Sequence, residues 1–76
     1  MLNRILKIVN QVMDVPLEQL SEESSPDTVK NWDSLKHMNL ILALEEEFEV
    51  TFSDEEIVDL LSVEIIVETL KEKGRD

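Results

Sequence analysis

Cysteine is missing from these 76 residues. Disulfides and thiolate metal sites are therefore excluded, and the chain must hold itself together by packing, as suits a reducing, cytoplasmic setting. The only glycine is Gly74. Nothing before it can form a glycine-dependent hairpin turn, a phosphate-cradling loop or a glycine-rich oxyanion loop. Long apolar runs are also lacking. The longest, Leu40 to Leu44, is far too short to cross a bilayer, and the N-terminus alternates polar and apolar residues where a secretory segment would be continuously apolar, so a soluble, untargeted chain is expected. Positive charge is scarce as well: seven basic residues face eighteen acidic ones, for a net charge of −11.

The distribution sharpens that imbalance. Arg4, Lys7, Lys71, Lys73 and Arg75 lie near the ends, and between residues 11 and 70 only Lys30 and Lys36 oppose all the carboxylates except Glu72 and Asp76. Such a surface repels nucleic acid and anionic membrane and attracts proteins with basic docking patches. It also keeps a small domain soluble. Seventy-six residues suit one domain, residues 1–76, in which every helix must contribute to a modest core.

The apolar residues recur at helical spacing. Leu2, Ile5, Leu6, Val9, Val12 and Met13 predict a first helix over 2–13, which Pro16 stops. A polar stretch through Ser21, Ser24, Ser25 and Pro26 reads as a long loop, pinned to the core by Val15, Leu17 and Leu20. A second helix is expected over 34–48. Ser53-Asp54-Glu55-Glu56 is a capping-box pattern for a short third helix, and Ser62 caps a fourth that carries Val63, Ile66, Val67 and Leu70 and ends in Lys71, Lys73 and Gly74. Val50-Thr51-Phe52 has no partner strand and reads as a loop with Phe52 turned inward. The expected fold is an all-α bundle of three longer helices and one short helix, with the long loop between the first and second.

Within it, Trp32-Asp33-Ser34-Leu35 marks the start of the second helix. Asp33 is a good N-cap, and Ser34 is then exposed where the helix dipole favours a phosphate ester. Stepping residues 34–49 by 100° each gathers Leu40, Ile41, Leu44 and Phe48 into one arc, the core face. Leu35, Met38 and Leu42 form a second arc roughly 120° away, continued by Glu45, Glu46 and Glu49. Apolar side chains beside carboxylates suit a transient docking face, with Ser34 on its edge. The competing reading buries Leu35 and Met38 beneath the long loop with Trp32 folded over them.

Catalysis has little support. His37 lies one helical turn from Ser34, but no nucleophile elbow surrounds that serine and the chain has little room for a water-excluding cleft, so His37 is expected to be a partly exposed bystander. Glu45-Glu46-Glu47 and Asp54-Glu55-Glu56 could attract divalent cations loosely, without the spacing of a specific metal site. No metal is expected.

The order of helix, long loop, Asp33-Ser34-Leu35, a second helix ending Ala43-Leu44-Glu45-Glu46-Glu47-Phe48, and Asp54-Glu55-Glu56 before a short third helix resembles the acyl and peptidyl carrier proteins over nearly the whole chain. The resemblance implies a carrier without catalysis of its own. Ser34 would bear 4'-phosphopantetheine, donated from coenzyme A by a phosphopantetheinyl transferase, and its terminal thiol would carry acyl groups as thioesters between acyl-loading and acyl-processing enzymes of fatty-acid, polyketide-like or other specialised synthesis. Asp33, Leu35, Met38, Leu42, Glu45 and Glu46 would dock those partners, and Leu40, Leu44, Phe52, Ile57, Leu60 and Ile66 would line the family's acyl-chain cleft. A monomer is the default for a carrier that visits several enzymes.

Two departures bear on pathway and cargo. Asn31-Trp32 stands where fatty-acid carriers usually have Gly-Ala, and Lys36 and Asn39 where they have acidic residues, which favours a dedicated route. Ile57 and Ile66 replace smaller residues, so a partly filled cleft that shelters long chains poorly is expected. The alternative from another class is a small acidic helical adaptor that binds a basic partner without covalent modification.

Overall fold

In the computed structural model, which describes residues 1–75, four helices carry the chain: α1 (Leu2–Met13), α2 (Ser34–Phe48), α3 (Asp54–Asp59) and α4 (Val63–Glu72). No strand occurs among the described residues. α1 packs against both α2 and α4. The core is aliphatic at its centre, where Ile5, Val9, Met13, Leu40, Leu44, Leu60, Val63, Ile66 and Leu70 are fully buried, and Trp32, Phe48 and Phe52 close its edges.

The helix ends follow from local chemistry. Ser53 Oγ accepts from Glu56 N–H while the Glu56 carboxylate accepts from Ser53 N–H, so the capping box of α3 is complete. Ser62 Oγ accepts from Ile65 N–H at the start of α4. At the other end of α4, Gly74 adopts φ 75°, and the N–H groups of Gly74 and Arg75 bond Lys71 O and Leu70 O. This is a Schellman ending, and glycine meets its left-handed residue without a Cβ penalty. α1 and α2 end in the same left-handed conformation without glycine, at Asp14 (φ 57°) and Glu49 (φ 53°).

The long loop is better anchored than its composition suggests. Asn31 Nδ2 donates to Met13 O and Asn10 Nδ2 to Val15 O, tying both ends of the loop to α1. Ser24 O and Glu22 O accept from the first two N–H groups of α4, those of Val63 and Glu64. Those donors have no partner within their own helix. Leu20 is buried and Val15 half-buried, as expected, but Leu17 is exposed. It opens a single 3-10 turn (Leu17–Gln19) that faces solvent, and the chain turns inward only at Leu20, where the backbone becomes extended. Val29 and Trp32 supply the anchorage that Leu17 does not.

α3 is held differently from the other helices, since it contributes no fully buried residue of its own. Ile57 is half-buried, the Glu56 carboxylate pairs with Lys73 Nζ at 3.0 Å, and Ile57 O meets His37 Nε2 at 2.8 Å. Its attachment combines these polar contacts with Ile57, packed against the core, and the fully buried Leu60 that closes the helix.

Candidate functional site

The start of α2 is built by Asp33, whose Oδ1 accepts from Lys36 N–H at 2.9 Å from an extended backbone (φ −106°, ψ −174°). Ser34 is the first helical residue and is exposed. Asp33 satisfies only one donor of the first turn, so the N–H groups of Ser34 and Leu35 have no acceptor among the described residues. The hydroxyl thus stands at the positive end of a 15-residue helix beside unused donors. Such a setting fits a phosphodiester on Ser34.

His37 has a structural role. Trp32 Nε1–H donates to its Nδ1 at 3.0 Å, and the two rings stack with centroids 6.2 Å apart. Indole nitrogen is only a donor, so Nδ1 accepts and Nε2 carries the proton, which it gives to Ile57 O at 2.8 Å. Both nitrogens are thereby engaged. The imidazole links the loop before α2 to α3 and has no free lone pair for Ser34, contrary to the expectation of a bystander. The signal was present in the sequence. At 100° per residue His37 falls within the arc of Leu40, Leu44 and Phe48, the core face.

Beside Ser34 lies an open groove of about 350 Å³, lined by Pro26, Trp32, Asp33, Ser34, His37 and Leu61. Trp32 forms its wall with a side chain that is otherwise buried, and Leu61, in the connection between α3 and α4, is 49% exposed. Pro26 lies in the long loop, and Leu61 falls beyond the end of α3, so helical spacing does not point to a groove between them.

On the far side of Ser34 the second stripe of α2 is open to solvent. Leu35, Met38 and Leu42 are 71, 45 and 60% exposed, which removes the alternative that buried Leu35 and Met38 under the loop. Val58 on α3 is also exposed. Of the carboxylates, Asp33 and Glu46 are exposed, whereas Glu45 is half-buried and its Oε2 accepts from Phe52 N–H at 2.9 Å. Glu45 therefore helps fix the loop after α2, a role its helical position alone did not reveal.

The six residues at the family's cleft positions come together in the core. Leu40, Leu44, Leu60 and Ile66 are fully buried, Phe52 nearly so, and Ile57 half-buried.

The sequence model of the family described as "Phosphopantetheine attachment site" matches residues 3–70, nearly the whole chain. The chain belongs to the acyl carrier protein family. Its relatives in that family include the acyl carrier protein of Buchnera aphidicola subsp. Baizongia pistaciae, 37% identical over 68 residues that cover 90% of this chain and 87% of the relative. That of Buchnera aphidicola subsp. Acyrthosiphon pisum (strain Tuc7) is 34% identical over 71 residues, covering 93% and 89%. As an acyl carrier protein the chain takes phosphopantetheine as its prosthetic group. The all-helical fold accords with that membership, and no helix among the described residues is long and apolar enough to cross a membrane.

Proposed function

We propose that residues 1–76 form one carrier domain and that Ser34 is the residue that bears the phosphopantetheine arm. The observation that supports this reading best is the exposed Ser34 residue at the N-terminus of α2, next to two unused backbone donors. The arm supplies a thiol that carries acyl groups as thioesters; the protein's own residues supply attachment and recognition. Ser34 holds the phosphate in the field of α2. Leu35, Met38 and Leu42 give a partner apolar contact area, and the carboxylates of Asp33 and Glu46, with the remaining oxygen of Glu45, steer its basic residues.

In this reading the chain is a substrate of a phosphopantetheinyl transferase and of acyl-loading and acyl-processing enzymes, and it acts as a cytoplasmic monomer. Lys36 and Asn39 make the start of the docking face less acidic than its end, which supports a dedicated route over general fatty-acid synthesis. The close packing of Leu40, Leu44, Phe52, Leu60 and Ile66, with Ile57 at its edge, supports a cleft with little room for a long acyl chain. Incubation with coenzyme A and a broad-specificity transferase tests the attachment. The wild-type chain gains one phosphopantetheinyl group by intact mass and Ser34→Ala, with an unchanged circular dichroism spectrum, gains none; an adaptor that uses the α2 face only for binding would gain none in either form.

A further inference from the structure

Sulfur is where peroxide attacks a protein most readily, and this chain leaves one sulfur well open to it. There is no cysteine and no tyrosine. Of the three methionines, Met13 is fully buried and Met1 is half-buried against the core, whereas Met38 is exposed. Trp32, the other large oxidisable side chain, is buried. Met38 is also placed where a change of polarity has the most effect. It stands between Leu35 and Leu42 in the exposed stripe of α2, outside the core. It follows Ser34 by four residues, so the two side chains share a face of the helix, with Cβ atoms about 5–6 Å apart. An enzyme that reaches Ser34 along this face covers the Met38 thioether.

We propose that Met38 is a redox modification site whose oxidation to the sulfoxide weakens docking of partner enzymes on α2. This rests on the reading of Leu35, Met38 and Leu42 as the docking stripe. The oxidant is hydrogen peroxide. The sulfur lone pair attacks one peroxide oxygen, the O–O bond breaks as an S–O bond forms, and a proton shift lets the other oxygen leave as water; sulfur loses two electrons and peroxide gains them. The product puts a polar side chain with a strong acceptor oxygen in place of a flexible apolar one. In the free chain that oxygen is solvated and the core is untouched. Under a docked partner it must give up its water in an apolar contact, which weakens binding. Leu35 and Leu42 provide the same kind of contact without an oxidisable atom, so the stripe holds a single switchable position. Methionine sulfoxide reductases restore the thioether, with a dithiol oxidised to a disulfide and the oxygen released as water.

The test treats the unloaded chain with hydrogen peroxide, removes the oxidant by desalting and locates the added oxygen by peptide mass spectrometry. It then measures kcat/KM for modification by a broad-specificity phosphopantetheinyl transferase. The proposal predicts oxygen on Met38 before Met1 or Met13, an unchanged circular dichroism spectrum, and kcat/KM lowered about threefold or more, with recovery after methionine sulfoxide reductases of both stereochemical classes. In Met38→Leu the ratio of treated to untreated kcat/KM should stay at one, whatever that variant's own rate. Oxygen added first to Met1 or Met13, an undiminished kcat/KM in the chain oxidised at Met38, or an equal loss in treated Met38→Leu would overturn the proposal. The readings beneath it fail in other ways. Untreated Met38→Glu modified as fast as wild type would remove the stripe from the docking face, and no mass gain in the untreated chain would remove Ser34 as the attachment residue; either result takes the switch with it.

Discussion

Replacing His37 by alanine should cost far more stability than a half-exposed histidine one turn from a helix end would ordinarily command. The substitution removes the acceptor of Trp32 Nε1–H and the donor to Ile57 O together. Trp32 is only 4% exposed, so its indole N–H is left largely without water, at about 1–3 kcal/mol for a buried unsatisfied donor. Ile57 O lies on a short helix with solvent close by, and loses an ordinary hydrogen bond worth about 1 kcal/mol. The total is about 2–4 kcal/mol, against a stability of about 4–11 kcal/mol for a domain of this length. At about 4–8 °C per kcal/mol, the lower figure alone lowers Tm by about 8–16 °C. Urea unfolding followed by circular dichroism measures the change. Trp32→Phe should cost less, since it removes the donor and leaves His37 Nδ1 able to bond water, and the double variant should show non-additivity of about 1 kcal/mol. A loss below about 0.5 kcal/mol in His37→Ala, with an unmoved Trp32 indole resonance, would refute the bridge.

Glu49→Gly should stabilise the protein by about 0.5–1 kcal/mol in thermal unfolding, because the left-handed conformation costs an L-residue about 1–2 kcal/mol and glycine returns part of that gain as chain entropy; Asp14→Gly should gain less, since aspartate tolerates this conformation better. The Glu56 carboxyl is held below its usual 4.5, first by Ser53 N–H and then by Lys73. A depressed folded pKa gives stability that is present above the unfolded value and lost as pH falls through the folded one, so wild type should exceed Glu56→Gln in Tm at pH 7 and the gap should begin to close below about pH 4.5. Met38→Glu should lower kcat/KM for modification by the transferase about three- to tenfold with the fold unchanged, as burying the 45% of Met38 that is still exposed contributes about 0.7–1.4 kcal/mol; undiminished modification would remove the stripe from the docking face.

Most of the helical framework was legible because its signals are local. The spans 2–13 and 34–48, the Asp33 and Ser62 caps and the Ser53/Glu56 box each depend on residues within a few positions of one another. The exposure of Leu35, Met38 and Leu42 followed from the same arithmetic, since one helix cannot turn two separate apolar arcs to one core. What escaped was non-local. Ser24 O and Glu22 O capping α4, and Asn31 closing on Met13 O, join segments far apart in sequence, and loop composition carries no trace of them. Leu17 misled because hydrophobicity alone does not say which way an irregular segment turns. Glu45 and His37 were legible as helix positions only; their bonds to Phe52 N–H and to Trp32 and Ile57 depend on loops whose course the periodicity does not fix.

The central claim is that one serine, Ser34, carries the prosthetic group. Fragmentation mass spectrometry of the chain after reaction with coenzyme A and a phosphopantetheinyl transferase tests it most directly, because Ser21, Ser24, Ser25, Ser53 and Ser62 offer competing hydroxyls. The account predicts a single phosphopantetheinyl group on Ser34 and an unmodified Ser34→Ala variant. A group found on any other serine, or retained in Ser34→Ala, would contradict it.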